Sequence, residues 1–204
     1  MTAPATPDSP KKVPFGLIHH WIGAKFLPGV TIAEALRVLR DYSRYPDYFP
    51  PSVVHVETDS LGDSDDQFSM VLMKQLQFRK LVLDADYWSH HVRVDERRLY
   101  NITRTTRLQE IANYGAPDQH LLPRDEGSGL IWRLYSVTRI QERDGGLYLE
   151  IEAIALSRDI PSGWRFLVEP IVRHKSREAL AMALRQTEEA VRSAGTPAGA
   201  RVSR

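Results

Sequence analysis

The chain contains no cysteine, and this absence excludes disulfide bonds, cysteine nucleophiles and metal sites built from thiolates. An excess of charge of one sign is also lacking, since 27 Lys and Arg residues against 26 Asp and Glu residues give a formal net charge of +1. A dedicated nucleic-acid-binding protein needs a basic surface, so no nucleic-acid partner is expected. No apolar run approaches the roughly 18 residues of a membrane-spanning helix. The chain does have 42% hydrophobic residues in a length of 204, which is enough for the core of one domain.

The two ends of the chain differ in composition from the middle. Residues 1–12 are rich in Pro, Ala and Thr and lack the apolar segment of a signal peptide. We therefore expect a disordered lead-in over 1–12, one domain over 13–193 and a disordered tail over 194–204. The sequence as it stands is compatible with a cytoplasmic protein, and with an exported or periplasmic protein if a signal peptide has been removed. The oligomeric state stays open.

Local patterns predict a mixed order of strands and helices. The aromatic and β-branched stretch 15–27 predicts a strand, and Thr31 with Glu34 forms a capping box that predicts a helix ending near Tyr42. Residues 162–193 predict a long helix with Ser162 as its N-cap, which Pro170 should kink or split. Its predicted apolar stripe is Leu180, Ala183, Leu184, Thr187 and Val191. Between the two helices, further strands are predicted at 52–60, 67–78, 81–94, 98–111, 130–142 and 147–158. Consecutive strands with separate helices are typical of an α+β domain.

Two segments resemble a known superfamily. Asp41–Pro50, DYSRYPDYFP, and Gly145–Pro161, GGLYLEIEAIALSRDIP, are similar to the motif after the first helix and to the last strand of polyketide-cyclase and coenzyme-Q-binding-like proteins. These belong to the START-like superfamily, also called SRPBCC or helix-grip. The resemblance implies a curved antiparallel sheet of about seven strands around a long C-terminal helix, with a cavity between them. It also implies a ligand class, because members include lipid and sterol carriers and aromatase/cyclases.

Strand alternation predicts which side chains face that cavity. Across the Asp144-Gly145-Gly146 turn, the apolar face is expected to lie against the helix and the other face, with Arg133, Arg139, Glu150 and Glu152, in solvent. The face predicted to point inward holds Trp132, Leu134, Ser136, Thr138 and Ile140 together with Leu147, Leu149, Ile151, Ala153 and Ala155.

Strand alternation also predicts the two faces of the hairpin over 81–110, with Glu96-Arg97 as its loop. The more apolar face is again placed inward, where it brings a few polar groups near a ligand. This face holds Leu81, Leu83, Ala85, Tyr87, Ser89 and His91 together with Tyr100, Ile102, Arg104, Thr106 and Leu108.

Three functions are compatible with this pattern. The favoured one is binding, with possible transport, of a lipid, isoprenoid or polyketide-like molecule. The second is a cyclase- or hydrolase-type enzyme, for which His91 beside Tyr87 or Arg104 is the best candidate general acid or base. The third is a protein-interaction adaptor. The predicted ligand-contacting residues are Tyr87, His91, Arg104, Thr106, Trp132, Leu134, Ser136, Thr138, Leu149 and Ile151.

Other chemistry-bearing patterns have simpler interpretations. Glu150 with Glu152, and Asp84 with Asp86, are expected on solvent faces rather than as catalytic pairs. Neighbouring histidines at 19–20 and 90–91 point to opposite faces of a strand, so neither pair can chelate by itself. Neither a metal site nor a cofactor is predicted, because no H-E-x-x-H, G-x-G-x-x-G or P-loop occurs.

Three further features have a bland interpretation and a functional one. Ser128 lacks the G-x-S-x-G context of a hydrolase nucleophile, because Glu126 takes the place of the first glycine. The aromatic residues at 42–49, and Trp164, are expected in the core rather than at a gate. The basic run Arg173–Arg177 is expected to be a solvated face, and any membrane contact through it would be peripheral.

Overall fold

The computed structural model describes residues 11–76, 80–159 and 165–195. These residues form seven long strands, two short strands, three α-helices and a 3₁₀ turn at Tyr42–Arg44. The strands are β1 (Lys11–Val13), β2 (Gly16–Pro28), β3 (Val53–Leu61), β4 (Asp65–Gln75), β5 (Lys80–Asp95), β6 (Arg98–Ala112), β7 (His120–Leu121), β8 (Arg133–Arg143) and β9 (Gly146–Arg158). The α-helices are α1 (Ile32–Leu39), α2 (Tyr45–Tyr48) and α3 (Arg165–Gly195).

The strands form one curved antiparallel sheet that is not closed into a barrel. Its order is β1-β2-β9-β8-β6-β5-β4-β3, and β7 pairs with β6 at the side. The α+β class and all seven predicted long strands are therefore confirmed. The short strands are additions: Lys11 and Lys12, predicted to be part of the lead-in, pair with β2, and β7 lies within the loop predicted at 113–129.

Helix α1 begins as its capping box predicts. The Thr31 hydroxyl accepts a hydrogen bond from the Glu34 amide, and the Glu34 carboxylate accepts one from the Thr31 amide. The carboxylate of Glu142 on β8 accepts a further bond from the Ile32 amide at 2.8 Å. The helix ends earlier than the predicted Tyr42, because Arg40 leaves the helical conformation and its side chain binds a distant aspartate.

Helix α3 is continuous from Arg165 to Gly195, so it is not split at Pro170, and the alternative, a kink at this residue, stays a prediction. Its predicted apolar stripe is confirmed, with Leu180, Leu184 and Val191 buried against the sheet and α1. A Cβ atom at Gly23 of β2 would lie 2.9 Å from a Leu184 methyl group, so a glycine here lets the helix approach the sheet closely. Ser162, Trp164 and the side chains at 173–176 lie outside the described part of the chain.

Two hydrophobic cores lie at different places along the sheet. The first joins α3 to α1 and to the hairpin ends of β8 and β9, and the second lies between the 42–49 segment and the inner side of β4, β5 and β6. The buried residues are Leu27, Val30, Ile32, Ala35, Val38, Tyr48, Leu99, Ile140, Leu147, Leu149, Leu180, Leu184, Ala190 and Val191 in the first core, and Tyr42, Phe68, Leu81, Leu83, Ala85, Tyr87 and Leu108 in the second.

Within the described part of the chain, none of the helices combines the length and apolar character that crossing a membrane requires.

Candidate functional site on the inner face of the sheet

The predicted pairing of β8 with β9 is confirmed. Leu134 lies opposite Ala155, and Thr138 lies opposite Ile151, so these side chains share the face that points to α3. Strand β2 continues the same face, since Trp21 lies opposite Ala153 of β9. The face that the sequence predicts to point inward is therefore present, and it extends over β2.

The pairing of β5 with β6 is only partly as predicted. The loop is Glu96-Arg97, but Val94 forms a β-bulge beside it, which inverts the expected alternation. A second bulge at Thr106 restores the alternation farther along. Between the two bulges, the positions that share a face with Tyr87, Ser89 and His91 are Thr105, Thr103 and Asn101.

Arg104 and Thr106 therefore do not lie on the inner face of the sheet, and their predicted inward orientation is wrong. Arg104 is exposed on the outer face, with its guanidinium 4.8 Å from the centre of the Trp88 ring. Thr106 is the extra residue of the bulge and is exposed, and its hydroxyl donates to the Asp86 carbonyl at 3.3 Å. The outward position of Tyr100 and Ile102 has the same cause, because both lie between the bulges.

Burial changes along the inner face. On β9, Leu149 is 1% exposed, whereas the following residues of the strand on the same face, Ile151, Ala153 and Ala155, are only half-buried. On β8, Ile140 is 2% exposed, and again the next inward positions are half-buried. The half-buried positions of neighbouring strands are contiguous and lie between the two cores. We call this set the inner patch: Trp21, Asn101, Thr103, Leu134, Ser136, Thr138, Ile151, Ala153 and Ala155.

The inner patch is polar on one side and mainly apolar on the other. Strands β6 and β8 supply neutral hydrogen-bonding groups, while β9 and β2 supply aliphatic side chains and an indole ring. The Ser89 and Thr103 hydroxyl oxygens are 2.8 Å apart, and the Asn101 amide donates to both of them. Apolar walls with a few placed polar groups are characteristic of small-molecule sites.

A buried carboxylate lies at the edge of this surface. Asp66 is 0% exposed and accepts bonds from Arg40 at 2.6 Å and from the Tyr42 hydroxyl at 2.9 Å. His91 Nε2 lies 2.7 Å from Asp66 Oδ2. Burial by itself raises the pKa of Asp66, but the bonds from Arg40, Tyr42 and His91 outweigh it, so the pKa lies below its usual value. His91 is thus an inward-facing histidine held by an ionised aspartate.

Tyr87 is buried in the second core, so its hydroxyl is not the accessible ligand-contacting group that the sequence predicts. Its ring stacks on Phe68 at 5.3 Å between centres, and Phe68 stacks on Tyr42 at 4.0 Å. Tyr87 is 6% exposed, and burial raises the pKa of its hydroxyl. The prediction that the aromatic residues at 42–49 form core is confirmed for Tyr42 and Tyr48.

Other predicted site residues have mixed positions. Leu134, Ser136, Thr138 and Ile151 belong to the inner patch. Leu149 is on the predicted face but is sealed in the first core. The indole Nε1 of Trp132, two residues before Leu134 along the chain, is buried and has no hydrogen-bond partner among the described residues.

The paired acidic residues lie on the outer face, as predicted. Arg139 binds Glu150 and Glu152, each at 2.8 Å. Arg107 binds Asp84 at 3.1 Å and Asp86 at 2.6 Å. These contacts hold both carboxylate pairs in salt bridges on the solvent side of the sheet.

Three further contacts involve Arg133, Ser128 and the neighbouring histidines. Arg133, expected beside the glutamates, instead binds Asp125 in the 113–129 loop at 3.1 Å. Ser128 anchors the same loop, because its amide and its hydroxyl both donate to Glu110 of β6. The histidine pairs divide between the faces as predicted, and His20 binds Glu152 on the outer side at 2.7 Å.

Asp66, Asn101, Thr103 and Trp21 were not among the ligand-contacting residues predicted from the sequence. Asp66 lies in the polar run 62–67, which is typical of a turn, but strict alternation with Phe68 and Met70 would have placed it inward. Alternation without bulges places Asn101 and Thr103 on the outer face, and the sequence around Val94 and Thr106 carries no clear signal of a β-bulge. Trp21 was not assigned to a face, since no hairpin connects β2 to its neighbour β9.

No family model matches this chain, and no curated protein matches it by sequence. Solved structures do match. The STAR-related lipid transfer protein of Xanthomonas axonopodis matches with a TM-score of 0.59 and 13% identity, over 89% of this chain and 96% of that one. Human STARD10 matches with a TM-score of 0.56 and 10% identity, over 93% and 73%. The di-domain ARO/CYC StfQ of the steffimycin biosynthetic pathway matches with a TM-score of 0.52 and 12% identity, over 86% and 52%.

The chain has the START-like helix-grip fold. The resemblance found in the Asp41–Pro50 and Gly145–Pro161 segments is thereby confirmed at the level of fold. At these identities the likeness concerns the fold alone, and function has to be argued from the site.

Proposed function

We propose that this protein binds a hydrophobic small molecule, of lipid, isoprenoid or polyketide type, on the inner patch between the sheet and α3. The observation that carries the proposal is the contrast in burial along the inner face. Ile140 and Leu149 are sealed, whereas the next positions inward, Thr138 and Ile151, are half-buried. An apolar ligand covering this surface gains about 25 cal/mol for each Å² removed from water.

The structural neighbours support this choice without deciding it. One of them is described as a lipid transfer protein and another as an ARO/CYC. Both descriptions are compatible with a site in which an apolar molecule lies against a sheet. They differ in whether the bound molecule is then chemically converted. In this protein, such a conversion would depend on His91 as the candidate general acid or base.

The test is native mass spectrometry of the purified protein, followed by organic extraction and identification of any released molecule. A near-stoichiometric apolar molecule is the expected result. If the protein is empty, uptake of the apolar fluorescent probe 1-methylpyrene is measured. A protein that contains no ligand and also fails to bind 1-methylpyrene would overturn the proposal.

A cyclase- or hydrolase-type enzyme on the same surface is the second candidate. One observation favours it: Asp66 fixes His91 through Nε2, and a histidine oriented by a carboxylate is a common general base. The discriminating variant is His91→Ala, assayed with the molecule released by extraction. Unchanged binding with loss of its conversion would support the enzyme. If wild type leaves the molecule chemically unchanged, binding alone is supported.

A further inference from the structure

We propose that the polar side of the inner patch, on β6 and β8, recognises an uncharged oxygen, a hydroxyl or carbonyl, and so selects neutral oxygenated apolar molecules over anionic ones. This inference rests on the proposed function and specifies its ligand class. It starts from the way in which the patch is divided. The polar groups all lie on β6 and β8, and the apolar groups lie mainly on β9 and β2.

The polar side of the patch is a small grid. Asn101 lies opposite Thr138, and Thr103 lies opposite Ser136 on the neighbouring strand. Side chains on one face repeat about every 7 Å along a strand, and strands lie about 4.8 Å apart, so these groups are within reach of one polar end of a ligand. Each of them is neutral and can donate or accept a hydrogen bond.

The hydroxyls of Ser136 and Thr138 are the open members of this grid. Neither has a hydrogen-bond partner within the described part of the chain, and both residues are half-buried. The neighbouring Thr103 and Asn101 are already tied to Ser89. A ligand oxygen placed over β8 would therefore meet two free hydroxyls held on a fixed hydrogen-bonded support.

Among the described residues, two groups of charged side chains beside the patch are paired with one another. Lys25 of β2 forms a salt bridge with Glu188 of α3. Asp66 is bound to Arg40 and to His91. A ligand carboxylate or phosphate would thus lose its water without gaining a free cation from these paired side chains, which is costly in a partly buried place.

The apolar side of the patch determines which hydrocarbon body the ligand can have. Ala153 and Ala155 are small, and Trp21 lies beside them on β2. Small side chains next to an indole leave room for a flat or branched hydrocarbon body against β9. The ligand class is therefore an apolar skeleton with a neutral oxygen at the end that lies over β8.

The experiment compares three fluorescent probes that share one ring system: 1-pyrenemethanol, 1-methylpyrene and 1-pyrenecarboxylate. Their dissociation constants are measured by titration with wild type, with Ser136→Ala and Thr138→Val, and with the double variant. The control is Thr106→Val, which removes a threonine hydroxyl from the outer face of the same sheet. Melting temperatures establish that each variant is folded, and Thr138→Val alone decides the question if the double variant is not.

Wild type is expected to bind 1-pyrenemethanol about fivefold more tightly than 1-methylpyrene, which corresponds to a gain of about 1 kcal/mol for one net hydrogen bond. It should bind 1-pyrenecarboxylate more weakly than the alcohol. The double variant should lose the preference for the alcohol and keep its affinity for 1-methylpyrene, while Thr106→Val should change neither.

Two results would overturn the inference while leaving the proposed function intact. One is a wild type that binds the carboxylate as tightly as the alcohol. The other is a preference for the alcohol that survives in the double variant. A wild type that yields no apolar molecule on extraction and binds none of the three probes would instead overturn the proposed function and this inference together.

Discussion

His91 and Asp66 lie in contact on the inner face of the sheet, with 2.7 Å between the imidazole Nε2 and a carboxylate oxygen. They come from β5 and β4, and Arg40 and Tyr42 reach the same carboxylate from the segment after α1. Asp66 therefore connects the first helix, the aromatic segment and the sheet. Its contribution to stability is open to direct measurement.

We expect Asp66→Asn to destabilise the fold by about 2–4 kcal/mol at pH 7, because it removes a buried charge that three donors satisfy and leaves Arg40 without its partner. Urea unfolding provides the measurement. The matched control is Asp65→Asn, since Asp65 is exposed and its carboxylate binds the outward-facing His90 at 3.0 Å. Equal losses in the two variants would contradict the assignment of Asp66 as the central residue of this cluster.

The same carboxylate predicts a pH dependence. The pKa of Asp66 in the folded protein lies below the usual 3.8. Its stabilisation is therefore fully present above about pH 4 and is lost as the pH falls through the lowered folded pKa. The difference in unfolding free energy between wild type and Asp66→Asn should shrink as the pH falls below about 4. A difference that persists unchanged at pH 2 would rule out this linkage.

The β-bulge at Thr106 makes a prediction about two adjacent threonines. The Thr105 hydroxyl is buried and binds the backbone of Leu134, accepting from its amide at 3.0 Å, whereas Thr106 is exposed. Thr105→Val should cost about 1–2 kcal/mol, and Thr106→Val less than about 0.5 kcal/mol. Thermal and urea unfolding of the two variants measure this, and a reversed order would mean that the alternation predicted from sequence was correct after all.

These threonines also show why the site was harder to predict than the fold. The capping box of Thr31 with Glu34, the turn at Asp144–Gly146 and the apolar stripe of α3 are local signals, and each was confirmed. A single extra residue in β6 reverses the facing of every side chain up to the next bulge. Arg104 was thus assigned inward and Asn101 outward, although the strand itself and its loop were correctly placed.

Asp66 illustrates a second kind of limit. Its role depends on Arg40 and Tyr42, which lie more than twenty residues away in the chain, and on a hairpin that brings His91 beside it. Sequence periodicity describes one element at a time and carries no information on which polar groups will meet. The fold could be derived from local patterns and from the resemblance, whereas the polar cluster at the edge of the site required the tertiary structure.

The salt bridge between Lys25 and Glu188 predicts how α3 is held on the sheet. Both side chains are about three-quarters buried, and the Lys25 ammonium chiefly holds the pKa of Glu188 below its usual value. Lys25→Met should cost about 1–2 kcal/mol and should speed hydrogen exchange in α3. Arg192 also binds Glu188, at 3.0 Å, but from one turn along the same helix.

Arg192→Met is therefore the control, with an expected cost below about 0.5 kcal/mol and no change in exchange at the helix–sheet contact. The Lys25 contribution should be present at neutral pH and should be lost as the pH falls through the lowered pKa of Glu188. If Arg192→Met loosens α3 as much as Lys25→Met does, then the contact across to β2 is not what holds the helix.

Two alanines on the inner face test whether the patch is an open surface or packed core. Ala85 is 0% exposed in the second core, whereas Ala153 is half-buried in the inner patch. Ala85→Leu should overpack and destabilise the protein by about 1–3 kcal/mol, because the added methyl groups have no space.

Ala153→Leu should change stability by less than about 0.5 kcal/mol, because its larger side chain extends into the space that the ligand is proposed to occupy. The same change should weaken 1-methylpyrene binding by about tenfold or more, since the probe and the leucine compete for that space. Unfolding free energies and probe titrations measure both effects. If Ala153→Leu costs as much stability as Ala85→Leu, the patch is packed against protein atoms and cannot receive a ligand, whereas an unchanged stability with lost probe binding fits only an open site.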